Sequence, residues 1–159
     1  SIKENLAKML HSFNEHLLDL TDHYFTMILG VIDTSEHRLH FIQAGHPMPF
    51  LVDKSSGDVE ELNCTGFPVG LVPNAEYEVM SYPFPPESRL VLFSDGLFEM
   101  LDNDGKLLIN DDLEAVLKTS VSSTANETVQ SIRNYFLVNN YEETQPDDLS
   151  VMVIDFVNN

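Results

Sequence analysis

The run Arg89-Leu90-Val91-Leu92-Phe93 restricts the fold of this chain more than any other segment. A continuous apolar stretch of this length suits a strand covered on both faces, at the centre of a sheet rather than at its edge. A central strand needs partners on either side, and the flanking sequence supplies candidates. Residues 24–31 and 38–42 read as a hairpin across a polar turn at 33–37. Residues 50–52 and 59–62 read as a second hairpin, across the turn composition DKSSGD. Residues 77–82 alternate, and 149–156 close the chain as a β-prone strand.

Helical spacing is confined to three places. Ile2, Leu6, Met9, Leu10, Phe13, Leu17 and Leu20 recur on one face from the first residues, and Thr21 and Asp22 are expected to end that helix. Its stripe through Leu6, Phe13 and Leu17 is expected to bury against the protein's own sheet. Residues 112–121 and 124–138 predict two further helices. Antiparallel strands with grouped helices, and no regular βαβ alternation, indicate an α+β layered fold. The 159 residues are expected to form a single domain spanning 1–159.

Charge narrows the partners. Against 26 acidic residues stand 8 basic ones, a formal charge of −18, so few lysines or arginines are available to displace counterions from a phosphate backbone. Nucleic acid is excluded as an expected partner, whereas cations are favoured. Cys64 is the single cysteine, which rules out an internal disulfide and a cysteine-built zinc cluster and suits the cytoplasm. No apolar run approaches the roughly 20 residues of a membrane span, so no membrane association is expected.

The apolar run delivers Ser94-Asp95-Gly96 at its end, where Gly96 lets the backbone turn closely around whatever the carboxylate binds. Asp147 and Asp148 immediately precede the last strand. Each taken alone is ordinary turn or cap chemistry. If the two strands are neighbours, however, the carboxylates converge on one sheet end, and a cation would relieve their repulsion. Oxygen-only ligation favours Mg²⁺ or Mn²⁺ over zinc or copper. His46, in AGHPMP, reads as a hydrogen-bonding brace and Cys64 as a packing residue, so no catalytic side chain is identified.

Five segments occur in an order that resembles a known family: FTMILGVID (25–33), FIQAGHPMPFLV (41–52), TGFPVGL (65–71), LVLFSDGLFEM (90–100) and DDLSVMVI (147–154). The chain resembles bacterial metal-dependent serine/threonine phosphatases of the type 2C (PPM) family, in the SpoIIE/RsbU-like sporulation and stress-response branch. Gln43 stands where the family has asparagine, and Ser94 where it has threonine. The resemblance implies an antiparallel β-sandwich flanked by helices. It implies Asp95 and Asp147 as metal ligands, Asp148 as a further candidate, Gly96 as the backbone turn at the metal and Glu99 as a candidate supporting group.

The same resemblance implies two Mn²⁺ or Mg²⁺ ions activating a water that hydrolyses phosphoserine or phosphothreonine. The implied substrate is a phosphorylated regulatory protein, an anti-sigma-factor antagonist, under control of an upstream receiver or sensor domain. The family's Asp-Val-x-Gly-His-Gly motif, which supplies the metal-bridging aspartate, does not occur in residues 1–159. The chain is therefore read as an N-terminally incomplete domain lacking the first strands, by itself inactive or weakly active, because a two-metal clamp needs shared carboxylates. The alternative reading is a non-catalytic phosphatase-like module that binds a sigma-factor regulator. An edge left unpaired by missing strands predicts homodimerisation or strand exchange; sedimentation of residues 1–159 as a strict monomer would count against this.

Overall fold

The computed structural model describes residues 1–97, 110–139 and 148–157. In chain order these form α1 (Ile2–Leu20), β1 (Met27–Asp33), β2 (Arg38–Ala44), β3 (Phe50–Asp53), β4 (Val59–Glu61), β5 (Met80–Pro83) and β6 (Ser88–Phe93). A 3₁₀ turn (Asp95–Leu97), α2 (Asn110–Thr119), α3 (Ala125–Asn139) and β7 (Val151–Asp155) follow. All strand pairs are antiparallel, in a three-stranded sheet ordered β1-β2-β5 and a four-stranded sheet ordered β4-β3-β6-β7. Among the described residues no helix is long and apolar enough to cross a membrane.

The chain divides into two compact units, one of residues Ser1–Met48 and Asn63–Pro86, the other of Pro49–Leu62 and Glu87–Asn159. In the first, α1 packs on β1 and β2. Ser1 caps the helix by accepting from the Glu4 amide at 3.3 Å, and Thr21, fully extended, ends it as its sequence suggests. Leu6 and Leu10 join Ile42, Ala44, Val69, Ala75 and Tyr77 in the core. Phe13 departs from the expected stripe: it is 47 % exposed, its ring edge-on to Phe25 at 5.8 Å. Its place on the buried face is taken by Asn14, which is fully buried.

Asn14 is buried because it organises a loop. Its Oδ1 accepts from the Gly70 amide at 2.8 Å and the Tyr77 hydroxyl at 3.1 Å, and its Nδ2 donates to the Val72 carbonyl at 2.9 Å. These bonds supply the loop with partners that no neighbouring strand provides. They also account for a shortened strand: β5 begins at Met80 rather than 77, since Tyr77 faces Asn14 and the core. At the other end of the unit β1 begins at Met27, because Phe25 pairs only as an isolated bridge with Val69.

The second unit bears out the central position of the 89–93 run: β6 lies between β3 and β7. Phe50, Val52, Val91, Phe93 and Leu97 pack with Leu113, Val116 and Leu117 of α2 and Ile132 of α3. The helix α3 starts at a reciprocal cap, in which the Thr124 amide donates to Glu127 Oε2 at 2.8 Å and Thr124 Oγ1 accepts from the Glu127 amide at 3.3 Å.

One member of the apolar run is a cation. Arg89 is 1 % exposed, and all five of its N–H donors are used. Nε and one Nη2 hydrogen grip the two Asp155 oxygens at 2.6 and 2.9 Å, while Nη2 also reaches the Ser123 carbonyl at 2.6 Å. Nη1 serves the Ser120 carbonyl at 3.0 Å and Thr128 Oγ1 at 2.5 Å. Lys54 Nζ adds a second cation to Asp155 at 3.4 Å.

Removing one partner of a buried pair leaves the other charge uncompensated, so Asp155→Ala is expected to lower unfolding free energy by about 3–5 kcal/mol in urea titrations. The Arg89 hydrogen bond, followed by the charges of Arg89 and Lys54, holds the Asp155 carboxyl below the usual carboxylate range despite its burial. A carboxyl depressed by folding stabilises the native state above its unfolded pKa of about 3.9, and that contribution is lost as pH falls through the lower folded value. In Asp155→Asn the acid limb of the stability–pH curve is expected to flatten accordingly.

Candidate metal centre

The carboxylate of interest stands where β6 leaves its sheet. Phe93 is the last ladder residue, paired with Val151 of β7, and the chain then enters the 3₁₀ turn Asp95–Leu97. Gly96 and Leu97 are buried, and Leu97 joins Phe93 in the core, whereas Asp95 between them is exposed. The turn is thus pinned from inside and presents one carboxylate outward. Gly96 lies within that turn.

The strands β6 and β7 are neighbours and antiparallel, so the end of β6 adjoins the beginning of β7. The two strands are thus neighbours, and Asp95 and Asp148 are both exposed, on the segments that leave β6 and enter β7. Ser94 joins the two segments: its amide donates to the Ser150 carbonyl at 2.9 Å, its hydroxyl donates to the Asp148 carbonyl at 3.0 Å, and it accepts from the Ser150 amide at 2.9 Å. Asp147 and Glu99 lie outside the described residues. Among the described residues no group of three or more histidine, cysteine, aspartate or glutamate side chains stands together as a ligand set.

The ionisable side chains on these two adjoining segments, Asp95 and Asp148, are carboxylates, with neither thiolate nor imidazole beside them in sequence, and oxygen donors of this kind suit Mg²⁺ or Mn²⁺.

The remaining sequence candidates have structural surroundings. The Gln43 side-chain amide donates to the His46 carbonyl and closes the AGHP turn, and His46 Nδ1 lies 3.2 Å from the Pro47 carbonyl. Gly45, at φ +68, donates to the Gly66 carbonyl at 2.8 Å, so the AGHPMP and TGFPVGL segments are stitched together. A Cβ at Gly66 would meet the Gln43 carbonyl oxygen at 2.2 Å, which explains why this close approach uses glycine. Cys64 is buried, and burial pushes its thiol above the ordinary range.

Two residues of β6 and its end have roles that local sequence pattern does not show. Arg89 was hidden inside an apolar run, although a lone cation there signals a buried partner. Ser94 stands in the sequence only as the counterpart of a family threonine, although a hydroxyl at a strand end can take the place of a main-chain group.

Residues 2–157 match the family described as Stage II sporulation protein E (SpoIIE). The chain is 31 % identical over 98 residues to phosphoserine phosphatase RsbP of Bacillus subtilis, covering 62 % of this chain and 24 % of RsbP. It spans about a third or less of the length of each of the curated relatives it matches. The SiaA-PP2C domain of Pseudomonas aeruginosa superposes with a TM-score of 0.83 at 17 % identity, over 94 % of this chain and 60 % of that one. The phosphatase domain of SpoIIE from Bacillus subtilis, presoaked with Mn, gives 0.70 at 21 % identity, over 94 % of this chain and 65 % of that one. The fold is therefore the mixed helix and antiparallel-sheet fold of PP2C phosphatase domains.

A buried thiol held protonated reacts slowly with alkylating agents. Cys64 is expected to resist iodoacetamide at pH 8 in the folded protein and to label fully in denaturant, as mass spectrometry would show; rapid native labelling would contradict the packing role.

Proposed function

The chain belongs to the Stage II sporulation protein E (SpoIIE) family, and on that footing we propose that it is catalytic machinery of a metal-dependent protein serine/threonine phosphatase. One observation carries the reading: the pairing of β6 with β7 brings the exposed Asp95 turn beside the segment bearing Asp148. Asp95 and Asp147 are proposed as metal ligands, Asp148 as a further one, Gly96 as the turn that exposes Asp95 and Glu99 as a supporting group.

Bound Mn²⁺ or Mg²⁺ would neutralise the charge that develops as water attacks phosphorus in line. The residues of this chain hold the carboxylates in place. Phe93 and Leu97 anchor the Asp95 turn from within the core, and the β6–β7 ladder sets the spacing of the two strand ends. The RsbP name speaks of phosphoserine, which supports a phosphorylated regulatory protein as substrate, with an anti-sigma-factor antagonist as the specific candidate. Residues 1–159 are proposed to act as a single domain, the output of a longer cytoplasmic signalling protein with an upstream receiver or sensor domain. Homodimerisation is proposed as a further property.

The test is manganese-dependent release of phosphate from a phosphoserine protein by the full-length protein and its Asp95→Asn variant. Loss of a bound metal's charge stabilisation is expected to lower turnover by at least about 100-fold, several kcal/mol of barrier. Equal activity in both would sink the metal assignment, and absence of activity in both would favour the non-catalytic module that binds a sigma-factor regulator.

A further inference from the structure

Ser94 is where β6 stops being a strand. Its amide still donates to the Ser150 carbonyl at 2.9 Å, one rung beyond the Phe93–Val151 pair. In a regular antiparallel pair the second bond would return from the Ser150 amide to the Ser94 carbonyl. Here that carbonyl has turned away and accepts from the Leu97 amide at 3.3 Å, within the 3₁₀ turn. The Ser150 amide donates instead to Ser94 Oγ at 2.9 Å, and the same hydroxyl donates to the Asp148 carbonyl at 3.0 Å. A side-chain hydroxyl has replaced a main-chain group in the ladder.

We propose that Ser94 is a positioning residue for the metal centre: its hydroxyl, at once acceptor from Ser150 and donor to Asp148, sets the separation of the main chain at Asp95 and at Asp148. The inference rests on the reading of Asp95 as a metal ligand. The substitution of hydroxyl for carbonyl lets the backbone leave the sheet at Asp95 while residues 148–150 stay docked to β6. Without it the Ser150 amide would lose the partner it has, because the Ser94 carbonyl is engaged within the turn. Serine and threonine combine donor and acceptor on a single atom one carbon from the backbone; alanine has neither, and cysteine is weak in both roles. Ligand pairs tolerate misplacement of only about 0.5 Å, so a loosened strand end should be felt as lost metal affinity.

A plain strand-end cap would affect stability alone, and the experiment separates the two roles. Mn²⁺ is titrated calorimetrically into the metal-free full-length protein and into Ser94→Ala, Ser94→Cys, Ser94→Thr and Asp95→Asn variants, with thermal melts of each without metal. The expected result is Mn²⁺ affinity about 10–100-fold weaker in Ser94→Ala and Ser94→Cys, near wild type in Ser94→Thr, and lost in Asp95→Asn. Ser94→Cys carries the comparison if Ser94→Ala does not fold. Undiminished affinity in the alanine and cysteine variants, with Asp95→Asn still deficient, would overturn the positioning role and leave the metal reading standing. A threonine variant as weak as alanine would also overturn it, because the hydroxyl would then not be the cause. Undiminished binding by Asp95→Asn would remove the metal assignment itself, and this inference with it.

Discussion

The Arg89 guanidinium is the constraint on which the second unit depends. A cation in an apolar central strand is tolerable only when every donor is met, and here five bonds meet five donors. Its partners come from β7, from the connection between α2 and α3 and from α3 itself. Arg89 is also the direct cross-strand partner of Asp155. A slip of one residue would send the pair to opposite faces, and a slip of two would leave the guanidinium buried without its carboxylate. The ion pair at one end of β6 therefore specifies the register that, five residues later, sets Ser94 against Ser150 and Asp95 beside the approach to β7. Its worth lies in specificity more than in net stability, since a well-packed apolar pair can match a buried ion pair in energy.

Asn14 performs a comparable task in the first unit. A helix whose buried face were wholly apolar could rotate or slide against β1 and β2 at small cost. An amide that must satisfy Gly70, Val72 and Tyr77 permits one placement. Gly66 and Gly45 complete the constraint by letting two backbone segments meet where any side chain would collide. In both units the polar groups that matter most lie inside, where an unmet hydrogen bond is expensive.

Local pattern explains why much of this was legible beforehand. The 89–93 run announced a central strand because burial on both faces leaves no polar alternation, and α1, α2 and α3 appear within one to two residues of their helical spacing. Strand ends were less legible: whether Tyr77 or Phe25 belongs to a strand depends on Asn14 and Val69, which are remote in sequence. Phe13 was misplaced because periodicity weighs side chains by hydrophobicity and so passes over an asparagine with buried partners. At the site, the position of Asp95 at a strand end and of Asp148 before one could be read directly; the role of Ser94 could not, because it follows from what faces it across the ladder.

By itself the sequence determined the elements, the oxygen-rich character of the candidate centre and, through ordered motifs, the family. These follow from local periodicity, turn chemistry and residue type, which need no knowledge of neighbours. Only the tertiary structure decided that β6 pairs with β7 in this register, that Arg89 is enclosed by Asp155, Ser120, Ser123 and Thr128, and that a serine hydroxyl completes the ladder beside Asp95. The reason is physical: each of these is a hydrogen bond between residues 31 to 66 positions apart, and such partners are chosen by how whole strands and helices pack rather than by the residues that adjoin them in the chain.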